Sequence, residues 1–236
     1  MTLQRKGSTA SRRSVDRRRA WHHHRVPRPR TPLLDRARIV GAALAELEAS
    51  GQMTMSAVGR RLGVHVSSLY VHVRDRAELV DLVREEVTSG LDEGSAEVPP
   101  DGGWREPLEA WLVSYRAAFA RHPRAIGLLA TEPVRGHRAA RGYDQVLALL
   151  DRAGVPRHEA MATLTALECF VLGSALDAAA PDAMVELEDD DARGPLGEAL
   201  RAEPSPAHRA DHAFTTGLRL LLDGLAAGRA GVTAAR

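Results

Sequence analysis

An all-α fold is predicted by three observations. Apolar residues recur at three- and four-residue spacing through most of the 236 positions. Alanine is abundant while aromatics make up only 4% of the chain, a balance that suits helices more than sheets. No stretch alternates convincingly at period two. The expected architecture is a small N-terminal three-helix unit containing a helix-turn-helix, tied by a fourth helix to a larger helical domain.

In chain order, Leu34-Asp35 opens the first sure helix, with Asp35 as N-cap. Ile39, Val40, Ala43, Leu44 and Leu47 form its apolar stripe, and Gly51 closes it. Thr54 caps a second helix, in which Val58 and Leu62 share one face. Gly63 follows where a tight turn wants a residue free to adopt positive φ. A third helix opens near Ser67 and carries Leu69 and Val73 on its buried side. Its free side holds Val66, Ser67, Ser68, Val71 and His72, all small or polar enough to approach base edges. Arg60, Arg61, Arg74 and Arg76 flank the pair, where a phosphate backbone would run. That is the layout of a helix-turn-helix whose second helix enters the major groove.

A fourth helix starts about Arg76, with Leu79, Leu82, Val83, Val87 and Leu91 at helical spacing. Residues 90–103 contain Gly, Ser, Pro99 and Pro100 and read as a linker. The boundaries expected are therefore 1–31 for an extension, 32–92 for the DNA-binding domain and 104–228 for the larger domain. In the latter, Leu108, Trp111, Leu112, Tyr115 and Phe119 make a stripe stopped by Pro123. A short segment runs from Arg124 to Leu129, and Tyr143, Val146, Leu147 and Leu150 mark the next helix, ended by Gly154 and Pro156. Residues 158–180 form a long apolar helix. Its central charges are Glu168 and Asp177, and a buried helix of a soluble bundle is favoured over a membrane span. An acidic loop with Glu186, Glu188, Asp189, Asp190 and Asp191 follows Pro181. The last helix, about 207–228, spaces Phe214, Leu218, Leu221 and Leu225 by 4, 3 and 4, a helix–helix seam.

The net charge of +1 hides an asymmetry. Residues 1–30 hold nine Arg and one Lys against Asp16, a net of +9, so the rest carries −8. This aperiodic tail is expected to be disordered. Three readings stay open for it: added phosphate contacts, a minor-groove arm, or solvated charge without function. His22, His23 and His24 on such a tail do not make a preorganised metal site, and no metal or cofactor is expected. Cys169 is the sole cysteine, which excludes an intrachain disulfide and points to a reducing, cytoplasmic setting. No apolar leader segment is visible. The chain lacks a P-loop, GxSxG, HExxH and paired cysteines, and its histidines are scattered, so an enzyme is not expected.

The order amphipathic helix, Thr54, LGV (62–64), LYVHV (69–73), charged corner, amphipathic helix strongly resembles the N-terminal domain of the TetR family of transcriptional regulators. The resemblance covers about Leu34 to Leu91 closely and the C-terminal part more loosely. It implies phosphate contacts from Thr54, Ser67, Tyr70, His72 and Arg76, and base contacts from Ser56, Val66, Ser68 and Val71, with Ser67 a further candidate for the bases. Tyr70 matches the family's Leu-Tyr position, and Arg76 a position usually Lys. Some relatives place Arg at the Ser56 position; with Ser there, shape and phosphate contacts would carry more of the specificity. Tyr115-Arg-Ala-Ala-Phe119, Ala130-Thr131-Glu132-Pro133 and Phe170-Val-Leu-Gly173 are similar to the C-terminal domain of the tetracycline repressors. Leu128 stands where those proteins use a histidine to hold drug-bound magnesium, which argues against that ligand. Asp177 matches another of their site acids, and Glu168, nine residues away, would point the opposite way. Asp177, with Trp111, Tyr115, Leu128 and Phe170 as an apolar wall, is the expected effector site, although core packing is the default for the apolar four.

The resemblance further implies a homodimer on a palindromic DNA operator. Residues 158–180 and the seam on 207–228 are the candidates for a four-helix interface, which the narrowness of the seam favours over the alternative that both fill the core of one subunit. A small-molecule effector in the larger domain would move the fourth helix and release the operator. Two alternatives remain: an activator with the same fold, or a helical interaction protein whose DNA binding has degenerated.

Overall fold

Asp35 caps the first helix as the sequence demands. Its extended backbone frees the carboxylate to accept the Arg38 amide at 2.8 Å, and Gly51 in the left-handed conformation (φ 71°) returns its amide to Leu47 at 2.7 Å. In the computed structural model, which describes residues 34–91, 103–185, 187–188, 193–203 and 208–234, these caps bound helix α1, Arg36–Ser50. Next come α2 (Met55–Leu62), α3 (Val66–Leu69) and α4 (Arg76–Val87). The remaining elements are α5 (Arg105–Ala120), α6 (Pro123–Leu129), α7 (His137–Arg152), α8 (Ala160–Asp177), α9 (Pro195–Ala202) and α10 (Arg209–Ala234). Among the described residues there is no strand.

Helices α1, α2 and α4 converge on Ile39, Ala43, Leu47, Val58 and Leu79, each fully buried, with Leu69 of α3. Burial of one such large side chain stabilises the fold by about 1.5–3 kcal/mol, so this small head has a true core. α5 and α8 pack along each other, with α7 and α10 beside α8. Leu108, Leu112, Phe119, Leu149, Leu150, Val171 and Leu222 are buried among them, in one apolar cluster continuous with the residues of α1, α2 and α4. α6 lies against α1 on one side and α5 and α8 on the other.

Four features differ from the sequence expectation. α3 is a single turn, and Val73 reaches the core from the irregular segment after it, where its amide still bonds to Leu69 at 3.0 Å. α4 stops at Val87 and not at Leu91: the following amides bond three residues back, Ser89 to Glu86 at 3.1 Å and Leu91 to Thr88 at 3.0 Å, so the chain turns there. α9 had no counterpart: it starts with Pro195 at its first position after Gly194, between the acidic loop and the last helix, where no element was assigned. The seam on α10 packs inside the subunit, with Phe214 and Leu218 buried and Leu221 and Leu225 against the core. Residues 92–102 of the expected linker (90–103), the tail (1–31), and residues 186 and 189–191 of the acidic loop lie outside the described residues.

Candidate nucleic-acid interface

Thr54 sets the start of α2, accepting the Ala57 amide on its hydroxyl oxygen at 3.1 Å while the side chain stays exposed. The turn to α3 needs glycine twice. Gly63 has φ 68°, and a Cβ on Gly59 would lie 3.2 Å from the Val64 carbonyl and 3.5 Å from Val66. Leu69 is sealed beneath, so the opposite side of α3 must face outward. Ser56, Ser67, Tyr70, Val71 and Arg76 are exposed, and Ser68 and His72 half-exposed. Val71 is 80% exposed and Tyr70 50%, large apolar surface that nothing in the described chain covers. Val66 departs from the set. It leans on Gly59 and joins the partly buried residues against the core, so it is turned toward packing more than outward.

The flanking arginines are less free than their sequence positions imply. Arg61 pairs with Glu46 at 2.9 Å, and Arg74 with Glu78 at 3.2 Å. Arg76 donates to Glu132 at 2.6 Å. Glu78 is a hub. It accepts the Arg74 amide at 2.6 Å and the Arg36 guanidinium at 3.0 Å, and those donors, the Arg74 amide first, hold its carboxyl below the ordinary range. Arg36 also donates to the His72 carbonyl at 2.9 Å, tying the end of the α3 segment to α1. Arg36 and Glu78 were invisible as site residues in the sequence because neither lies on the turn itself.

The α6–α7 corner docks along α4. Arg84, only 6% exposed, donates to the carbonyls of Leu129 at 2.9 Å and Glu132 at 3.0 Å. The Arg135 amide reaches Asp81 at 3.4 Å. On the other side, Arg124 donates to the Ala49 carbonyl at the end of α1 at 3.0 Å. α6 and the corner after it are thus hydrogen-bonded to both α1 and α4. Arg84 did carry a sequence signal: it stands among Val80, Val83 and Val87 on the buried stripe of α4.

The five residues expected at an effector site do not form one wall. Trp111 and Tyr115 stack in the interior, ring centroids 4.7 Å apart, both buried. Leu128 is half-buried on α6. Phe170 and Asp177 line a cleft of about 360 Å³ between α8 and α10, together with Cys169, Gly173 and Phe214. There Phe170 stacks on Phe214 at 5.6 Å, and Asp177 is held by both terminal nitrogens of Arg209 at 2.9 Å. The acid turned into the helical body is Glu168, not Asp177. One of its oxygens accepts the hydroxyls of Tyr115 at 2.7 Å and Tyr143 at 2.8 Å. Burial first, then the Glu168 charge, pushes both phenols well above their ordinary pKa, so they remain donors.

α8 has a mean hydropathy of 1.3 over eighteen residues, yet only 28% of that span is buried by its own chain. Met161, Ala162, Thr165, Ala166, Cys169 and Leu176 lie exposed along it, and α10 presents Ala213, Leu220 and Gly224. The outward side of α10 is thus a different one from the Phe214–Leu225 seam.

A turn-linked helix pair with one side sealed and the other open to solvent, on a body that is helical among its described residues, has the architecture of a helix-turn-helix DNA-binding regulator. Residues 98–229 match the family described as tetracyclin repressor-like, C-terminal domain. The chain is 30% identical over 211 residues to an HTH-type transcriptional regulator of Saccharopolyspora erythraea, covering 83% of this chain and 86% of the relative. It is 30% identical over 195 residues to the tetracycline repressor protein class A from transposon 1721 of Escherichia coli, covering 80% and 88%. The crystal structure of the TetR family protein ActR of Streptomyces coelicolor, in complex with actinorhodin, superposes with a TM-score of 0.64 at 26% identity, covering 84% and 97%. The chain belongs to the TetR family of transcriptional regulators.

Proposed function

We propose that this regulator is a homodimeric repressor whose two heads bind a palindromic DNA site and let go when a small molecule binds the helical body. The observation that carries the reading is the bare Tyr70–Val71 surface above a fully buried Leu69. A duplex groove accounts for that surface. Ser56, Ser67, Ser68 and Val71 face bases, with Val66 marginal; Thr54, Tyr70, His72 and Arg76 face phosphates. The apolar, largely unburied face of α8 and the small residues of α10 supply the dimer contact, and DNA as partner places the activity in the cytoplasm. The division proposed is a DNA-binding domain over 32–92 and an effector and dimerisation domain over 104–228.

Two relatives support a ligand-released repressor: one is named a tetracycline repressor, and ActR was crystallised with actinorhodin. In this chain the effector would meet the Tyr115–Tyr143–Glu168 group, where three helices share polar atoms inside an apolar body. Displacing either phenol shifts α5 or α7 against α8, and the Arg84 clamp passes the shift to α4. The test is electrophoretic mobility of DNA from upstream of its own gene, with and without candidate compounds. Retardation abolished by a compound supports the reading; no retardation of any upstream fragment at low salt sinks it.

A further inference from the structure

We propose that Glu132 is an intramolecular stand-in for a DNA phosphate. It occupies Arg76 in the DNA-free protein, so the α6–α7 corner sets DNA affinity by competition. The inference rests on the reading above in one respect: Arg76 must meet the DNA backbone.

The geometry is direct. Arg76 opens α4 at the edge of the exposed face, and its guanidinium donates to a Glu132 carboxylate oxygen at 2.6 Å, across 56 residues of sequence. A carboxylate and a phosphate offer the same thing to a guanidinium, two anionic oxygens in one plane, so one excludes the other. Glu132 is placed for this by the other end of the clamp, because Arg84, two turns further along α4, holds its backbone carbonyl at 3.0 Å. Arg76, Arg135 and Arg84 all act on the carboxylate, the Arg76 hydrogen bond most strongly, and keep it ionised below the ordinary range. Without Glu132, the Arg76 guanidinium would turn its charge toward the phosphate path. A partly exposed pair of this kind, with side chains 43% and 24% accessible, is easily exchanged for a stronger partner. It therefore tunes affinity without blocking binding. It also gives the body a direct line to the DNA contact. An effector that presses the corner onto α4 reinforces the pair, and one that lifts the corner frees Arg76.

The test uses the full-length protein and a duplex selected by the wild-type protein from random 30-base-pair DNA, read by fluorescence anisotropy. Wild type, Glu132→Gln, Arg76→Ala, the double variant and Glu86→Gln, which removes an exposed charge elsewhere on α4, are compared after thermal unfolding confirms each is folded. Glu132→Gln should tighten binding about two- to five-fold per head, hence about four- to twenty-five-fold for a dimer. Glu86→Gln should tighten it far less, and Glu132→Gln should add nothing in the Arg76→Ala background. Unchanged or weaker binding by folded Glu132→Gln, or a gain that persists without Arg76, overturns the proposal while leaving the regulator reading intact. Failure of the wild-type protein to enrich any duplex overturns both.

Discussion

The Arg84 guanidinium on α4 reaches 2.9 Å to the carbonyl of Leu129, the last residue of α6, from a position only 6% exposed. A permanently charged group is held inside the protein there by backbone oxygens at the end of α6 and in the corner after it, and those oxygens have Arg84 as their partner in turn. Cutting it should have two separable effects. Arg84→Ala leaves carbonyls short of a donor and should lower stability by about 2–3 kcal/mol in chemical denaturation. At the same time DNA affinity should stay within a few-fold of wild type, while a compound that releases the wild-type protein from DNA should release the variant poorly. Equal loss of DNA affinity and of release would instead make Arg84 a fold residue only.

Gly217 of α10 faces Phe170 of α8 so closely that a Cβ would sit 2.6 Å from the ring. Gly217→Ala must push that ring off its stack on Phe214, at a cost of about 1–3 kcal/mol. Thermal unfolding should drop accordingly, and sedimentation should show a weaker dimer, since α8 and α10 carry the proposed contact. Replacing Phe170 by Leu in the same chain should recover part of the loss.

Tyr115 and Tyr143 hold their protons in the folded state beyond the pH at which free phenols ionise, near 10. The unfolded chain then binds fewer protons than the folded one. Stability from this pair is whole below pH 10 and is lost as pH rises further. Absorbance at 295 nm should show these two phenolates appearing together with unfolding. Tyr143→Phe should remove one late chromophore, flatten the alkaline loss, and cost about 1–2 kcal/mol at neutral pH from the missing bond to Glu168.

Much of the head was readable from local chemistry. Asp35, Gly51, Thr54 and Gly63 act through their own backbones, so their roles as caps and turn follow from residue type and position. The buried side of α3 was likewise implied by Leu69 and Val73, although the helix itself closes after one turn and Val73 arrives by tertiary packing. What stayed hidden depends on partners far away in sequence. The pairing of Arg76 with Glu132 spans 56 positions, and that of Tyr115 with Glu168 spans 53. A helical period tells that Glu168 and Asp177 point apart, but not which points inward. Only the placement of α5 and α7 decides for Glu168. The α10 seam misled for a similar reason, since a 4-3-4 spacing marks a helix contact without saying whether the other helix belongs to the same subunit.

The central claim is that the outward side of the α3 segment reads duplex DNA, and Val71 tests it most directly because it is 80% exposed and sits over the sealed Leu69. Selection from random duplexes should be run in parallel with the wild-type protein and Val71→Glu. The account predicts that the wild type enriches a palindrome with half-sites about one helical turn, or a multiple of it, apart, while Val71→Glu enriches nothing and unfolds at the wild-type temperature. Enrichment of the same palindrome by Val71→Glu would contradict it.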